Sequence, residues 1–166
     1  MSDVNARIGD FEAIAFKQPN SLFRNDGSGH FKDVSQTAGF EAVAAAHRGC
    51  GVADFNGDGR LDVVVLTLGT AAELWQNTTP LSNNWLIVRL VGNKSNRDGI
   101  GALVRIGKQV RTMTTAMGYA SSSYAGLHFG LGSSSEPVRI EIEWPSGEKQ
   151  VVENVKVNQL VEVREN

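Results

Sequence analysis

Within "DFNGDGRLDVVVL", residues 54 to 66, three carboxylates and one amide follow the pattern D-x-N-x-D-G-x-x-D. Asp54, Asn56, Asp58 and Asp62 are spaced so that alternate side chains of a tightly wound loop converge on one point. Left alone, that much negative charge repels itself. Ca²⁺ takes about six to eight hard oxygen ligands at about 2.3–2.6 Å, and Gly59 permits the sharp bend that such a loop needs. The carbonyl of Arg60 is the expected backbone ligand, and Asp62 closes the set. Zn²⁺ prefers nitrogen and sulfur, and Mg²⁺ usually keeps several waters, so Ca²⁺ is the expected cofactor. The loop is not an EF-hand, because its twelfth position is Val65 rather than Glu and a strand-like run follows. The competing reading is a solvated Asx-type turn.

Other constellations have simpler readings. Ser121, Ser122, Ser123 and His128 include no G-x-S-x-G elbow, so a hydrolase is not expected and His128 reads as structural. Glu141 and Glu143 share one strand face, whereas glycosidase carboxylates flank a substrate, so a solvated surface is expected. "SNRDGIGA" (95 to 102) places Asn96, Arg97 and Asp98 on a turn whose side chains bond to backbone, with a ligand site as the lesser reading. Trp75, Trp85 and Trp144 lie in strand-like segments and are expected to pack, while Tyr119 and Tyr124 suit an exposed platform. Asn77 and Asn93 match the N-glycosylation pattern, which is short and recurs by chance. The lone cysteine, Cys50, excludes an internal disulfide and is expected to be a buried, inert thiol.

The bulk numbers narrow the partners. With 166 residues, 41% of them hydrophobic, and a net charge of -2, a core is available and no charge block dominates. No basic stripe points to nucleic acid, and no run of about 18 apolar residues would span a membrane. "MSDVNARIGDF" lacks the basic start and apolar run of a signal peptide, so the chain is expected to be cytosolic or an excised piece of a longer protein.

The elements that position these residues are strands. Eighteen glycines against four prolines suit many tight turns, and period-two segments are plentiful. The best helix candidate, "FEAVAAAHRG" (40 to 49), is short, so the expected class is all-β. Residues 1–80 and 81–166 read as two domains. In the first, "NSLFRN" (20 to 25) resembles "AELWQN" (72 to 77) at an offset of 52, and the same offset sets Asp10 against Asp62. A period near 50 made of short strands signals propeller blades, here about one and a half of them. The first copy holds Ser2, Val4 and Ala6 where the second has its acidic residues.

In the second domain "WLIVRLVG" (85 to 92) opens a run of strands, and "GALVRIGKQVRTMTTAMG" predicts a hairpin turning near Gly107-Lys108. "VRIEIEW" predicts a strand with Val138, Ile140, Ile142 and Trp144 on one face. "PSGEK" is a turn, "QVVENV" and "QLVEVRE" are expected to finish the same sheet, and residues 118 to 137 read as loops around a short strand. The expected architecture is partial β-propeller blades joined to a small C-terminal β-sandwich or barrel.

These segments also carry a family resemblance. "RGCGVADFNGDGRLDVVV" and "NSLFRNDGSGHFKDVSQTAGF" resemble FG-GAP/VCBS-type propeller repeats. "NNWLIVRLVGNKSNRDGIGALVRI", "GLHFGLG" and "IEWPSGEKQVVENVKVNQLVEV" resemble the ASPIC/UnbV domain, with S-N-R-D-G-I-G-A, H-F-G-L-G and W-P-S-G the most specific motifs. The resemblance covers the chain from about residue 20. It implies a propeller end followed by a β-domain, an extracellular or periplasmic setting, and binding or adhesion rather than catalysis. Carried over position by position, its calcium ligands are Asp54, Asn56, Asp58, Arg60 through its carbonyl, and Asp62.

The expected function is therefore a calcium-binding extracellular adhesion or binding module without catalytic activity, in which the ion is structural. Two alternatives are a polysaccharide-active enzyme or its carbohydrate-binding accessory domain, and a structural domain that caps a propeller and mediates assembly. The expected ligand is an extracellular protein or a glycan, with self-association through the incomplete propeller edge.

Overall fold

Short alternating runs broken by glycine turns produce strands, and the described residues of the computed structural model hold no helix. The structure describes residues 17–40, 44–80, 82–116, 118–119, 121–123 and 126–166. The strands are β1 (Phe23–Asn25), β2 (Phe31–Asp33), β3 (His47–Ala53), β4 (Asp62–Thr67), β5 (Glu73–Trp75) and β6 (Asn84–Val91), followed by β7 (Leu103–Ile106), β8 (Gln109–Thr112), β9 (Leu127–Gly132), β10 (Val138–Glu143), β11 (Lys149–Val155) and β12 (Gln159–Arg164). The expected all-β class holds, and among the described residues no sheet closes into a barrel.

The chain divides into two compact units, one of Met1–Cys50 with Val64–Trp75 and the other of Gly51–Val63 with Gln76–Asn166. It passes from one unit to the other within β3 and again within β4.

In the first unit β1 and β2 form an antiparallel hairpin, closed by side chains that cap their own turn. Asn25 Oδ1 accepts the Gly27 amide and Asp26 Oδ1 accepts that of Ser28, each at 2.8 Å. β3, β4 and β5 are hydrogen-bonded in that order. Glu73 on β5 gathers three donors: His47 Nε2 at 2.9 Å, Trp75 Nε1 at 3.1 Å and Asn20 Nδ2 at 2.9 Å. The His47 bond, foremost, holds the Glu73 carboxyl below its ordinary pKa. Trp75 also packs on Phe40, their ring centroids 4.8 Å apart. The segments related by the offset of 52 contain β1 and β5, but β5 ends at Trp75, two residues before the expected Asn77. Asp10 and the run "EAIAF" lie outside the described residues.

Two expectations for this unit are corrected. The helix candidate at 40 to 49 forms no helix where it is described: His47 to Gly49 open β3, and residues 41–43 lie outside the described ones. So short a helix is marginal without a packed face. Cys50 is exposed rather than buried. It follows the inward-facing Gly49 on β3, and its immediate neighbours are glycines with no side chain to cover it.

The second unit contains a β-sandwich. One antiparallel sheet runs β11-β10-β7-β8, and the other runs β12-β6-β9. Inward residues of both sheets form one core, among them Leu86, Val88, Phe129, Val163, Val104 and Ile140. The predicted alternation of β10 is observed, with Ile140, Ile142 and Trp144 buried. The predicted hairpin joins β7 to β8 across Gly107-Lys108, where Gly107 has φ 56°. One sheet assignment is corrected: β11 continues beside β10, but β12 crosses to the other sheet and runs parallel to β6. The crossing sets Val163 into the shared core.

A buried carboxylate fixes the end of β12. Glu165 Oε2 accepts the amides of Asn93, Lys94 and Ser95 at 2.8, 2.8 and 2.6 Å. Its Oε1 accepts the hydroxyls of Ser95 and Ser146 at 2.9 and 2.5 Å. Successive amides turned toward one point make an anion nest, filled here by the chain's own side chain.

Candidate metal centre

The acidic loop connects β3 to β4, and its turn is made possible by two glycines in the left-handed region: Gly57 at φ 75° and Gly59 at φ 87°. Gly59 has a second constraint, since a Cβ there would stand 2.0 Å from Trp85 Nε1. His128 Nε2 donates to the Gly59 carbonyl at 2.9 Å, and the His128 ring stacks on Trp85 with an interplanar angle of 8°. Trp85 on β6 and His128 on β9 thus form the seat of the loop within the second unit. The structural reading of His128 holds in this contact.

The four predicted side chains are drawn into one hydrogen-bonded loop. Asp54 Oδ1 accepts the amides of Gly57 and Asp58 at 2.8 and 3.0 Å, and its Oδ2 accepts that of Gly59 at 2.8 Å. Asn56 Oδ1 accepts the Asp58 amide at 3.1 Å, while Asn56 Nδ2 donates to Asp58 Oδ2 at 2.7 Å. Asp58 Oδ1 accepts the Arg60 amide at 2.9 Å, and Asp58 Oδ2 is ion-paired with the Arg60 guanidinium. The Arg60 amide, followed by the Asn56 amide and the Arg60 charge, holds the Asp58 carboxyl below its ordinary pKa against the opposing effect of burial. Asp62, 2% exposed, bridges the ends of the loop: its Oδ2 accepts the Phe55 amide at 3.1 Å and its Oδ1 the Asn77 amide at 2.8 Å.

The chemistry of this donor set suits a hard cation. It holds three carboxylates and an amide oxygen, with no thiolate or imidazole in the loop itself. A carboxylate oxygen that accepts one N–H retains further acceptor capacity. In the arrangement observed, however, the loop satisfies itself, and among the described residues no three His, Cys, Asp or Glu side chains are gathered as a metal cage. The Arg60 guanidinium already supplies a counter-charge to Asp58 within the loop. Beyond that ion pair, Arg60 Nη1 reaches the Thr79 carbonyl at 3.3 Å, and its buried Nε has no partner among the described residues.

The remaining sequence candidates fall elsewhere. Asn96 closes its own turn, accepting the Ile100 amide and donating to the Ile100 carbonyl, each at 2.8 Å. Glu141 pairs with Arg139 on the sheet surface. Ser123 Oγ accepts the Val52 amide at 3.3 Å, Tyr119 is 72% exposed, and Tyr124 lies outside the described residues. Trp144 is buried, whereas Trp75 and Trp85 are half-buried. Sequence reasoning missed the Trp85–His128 seat and the Arg60 counter-charge. The adjacent acid and base in D-G-R were the available signal for the latter.

Comparison with known proteins agrees with the motifs. Residues 92–166 match the family described as ASPIC and UnbV, and residues 9–65 match the FG-GAP-like repeat. The order of the two matches is the order that the motifs indicated. Cartilage acidic protein 1 of Xenopus tropicalis is similar, at 39% identity over 61 residues that cover 37% of this chain and 9% of that protein. Its counterparts from Mus musculus and Homo sapiens are each 46% identical over 46 residues, 28% of this chain and 7% of theirs. The aligned segment spans less than a tenth of the length of each of these curated relatives.

Proposed function

We propose that this chain is a non-catalytic extracellular binding or adhesion module whose acidic loop holds a structural Ca²⁺ ion. What supports the reading is the donor chemistry of Asp54, Asn56, Asp58 and Asp62, spaced within one loop bent by two left-handed glycines. Their side-chain oxygens and the Arg60 carbonyl would hold the ion. When bound, the ion supplies charge neutralisation, since three carboxylates and one guanidinium leave the loop with a surplus of negative charge. It also ties the end of β3 to the start of β4. Similarity to a protein named for cartilage supports the extracellular setting, and the FG-GAP-like and ASPIC/UnbV matches support a binding module over an enzyme.

Thermal unfolding in EGTA and in millimolar calcium tests this. A ligand bound by the native state alone stabilises it by RT ln(1 + [L]/Kd), about 2.7 kcal/mol at a hundredfold excess over Kd. Asp58→Ala removes most of that gain while the sandwich stays folded. An unchanged melting temperature with and without calcium would reduce the loop to a self-satisfied turn.

A further inference from the structure

Beside the acidic loop, within the second unit, lies a cleft of about 650 Å³. Small-ligand sites span about 300–1,000 Å³ and combine an apolar or aromatic surface with a few fixed polar groups. Trp85 and His128 supply the aromatic part, Leu61 and Leu160 lie at its sides, and Asp54 and Arg111 bring charge. Two groups there are unused by the fold. Among the described residues the Trp85 indole N–H and the Arg111 guanidinium make no hydrogen bond or ion pair, and both residues line the cleft. Arg111 is held in place by Phe129, its Cζ 5.4 Å from the ring centroid. It is paired with Val104 across the β7–β8 hairpin and so belongs to the inward face of an edge strand.

We propose that this cleft binds an acidic saccharide. A pyranose ring offers an apolar face for Leu61 and Leu160 and hydroxyls for the Trp85 N–H. Arg111 is left to take a carboxylate, which a guanidinium grips with two parallel hydrogen bonds. A polyphosphate fits poorly, since Arg111 is the one lysine or arginine among the described lining residues. A purely apolar ligand would leave the Arg111 guanidinium desolvated without a partner. The inference rests on the binding-module reading and names the site and the ligand class. Calcium in the adjoining loop would neutralise Asp54 and its neighbours and so strengthen the binding of an anion.

The test is titration of the full chain with trigalacturonate, with cellotriose as the neutral comparator, followed through the indole N–H signals in NMR. Trp85→Phe assigns the Trp85 signal. Trigalacturonate is expected to shift it in EGTA and to bind more tightly in calcium, leaving the Trp144 signal in place. Arg111→Gln is expected to weaken binding about tenfold, equivalent to about 1.4 kcal/mol, without lowering the melting temperature. If Arg111→Gln does not fold, Arg111→Lys replaces it, which keeps the charge and loses the paired hydrogen bonds, with a smaller loss expected. No Trp85 shift up to about 10 mM trigalacturonate, a Kd range in which even weak sites respond, overturns the proposal. Equal affinity for cellotriose, or an unaltered affinity in the folded variant, overturns it as well. The calcium melting shift is measured without sugar, so failure of either reading is told apart from failure of the other.

Discussion

Gly59 lies against the indole of Trp85 with no room for a side chain, and 69 residues along the chain from Gly59 its carbonyl receives the His128 Nε2 hydrogen. The acidic loop is therefore held by a close backbone contact as well as by its own carboxylates. Two alanine substitutions separate backbone strain from this contact. Gly57 has φ 75° and open space around its missing Cβ, so Gly57→Ala carries left-handed strain alone, about 1–2 kcal/mol. Gly59→Ala, at φ 87°, adds overpacking against Trp85 of about 1–3 kcal/mol. Urea denaturation should place Gly59→Ala clearly below Gly57→Ala in stability. Equal losses would mean that the loop lifts off Trp85 at little cost.

Glu165 gives the sandwich an acid-sensitive latch. Burial by itself would raise this carboxyl, but the Ser146 hydroxyl and the amides of Ser95 and Asn93 outweigh it and hold the pKa at about 2, against an ordinary 4.5. A carboxyl depressed on folding stabilises the native state above its unfolded pKa, and that contribution disappears as pH falls through the folded value. The loss should therefore run from about pH 4.5 down to about pH 2. Glu165→Gln cannot ionise, so it should be less stable than the parent at neutral pH and show a shallower decline across that window. Denaturant midpoints at several pH values read this directly, and parallel curves for the two proteins would show that the latch contributes nothing.

How much of this was readable beforehand follows from what periodicity encodes. The alternation of Val138, Ile140, Ile142 and Trp144 is enough to place a strand and its inward face, because side chains alternate along any strand. The Gly107-Lys108 turn is equally local. Strand partners are not local: β12 alternates as well, yet nothing in its residues says that it joins β6 in parallel instead of extending the sheet of β10. The ligand pattern of the acidic loop is legible for the same reason as the hairpin, since its side chains lie within nine positions. The seat is not, since Trp85, His128 and Gly59 meet only after the sandwich forms. Nor does a carboxylate near the end of the chain announce three amides from residues 93 to 95.

The first unit exposes apolar side chains that water does not favour. Phe31 and Leu74 are 64% and 67% exposed, and Phe23, Leu66 and Leu68 are exposed with them. Exposed apolar side chains of this size are expected to drive self-association of the chain. Light scattering over about a hundredfold range of concentration should show a rising mean mass, as expected for a weak interface. Phe31→Ser together with Leu74→Ser should suppress the rise without changing the fold of the sandwich. A constant monomer mass over the whole range would exclude self-association through this surface.

Arg60 decides how readily the acidic loop accepts an ion. Its guanidinium neutralises Asp58 from within the loop, so a calcium ion bound there would compete with a cation already present. Each side chain of the pair keeps about a fifth of its surface exposed, and solvent-screened ion pairs contribute about 0.2–1 kcal/mol, so mild competition is expected. Arg60 is also poorly satisfied where it sits, with Nε buried and unpartnered among the described residues. Arg60→Gln removes the competing charge and leaves the backbone carbonyl, the expected fifth ligand, in place. The variant should bind calcium about two- to fivefold more tightly than the parent, as the size of the ion pair implies. It should also be slightly less stable than the parent in EGTA, because the uncompensated carboxylates of Asp54, Asp58 and Asp62 then repel one another. Calorimetric titration with calcium measures the first effect and melting in EGTA the second. Weaker calcium binding in Arg60→Gln would show that the guanidinium supports the ion site instead of competing for it.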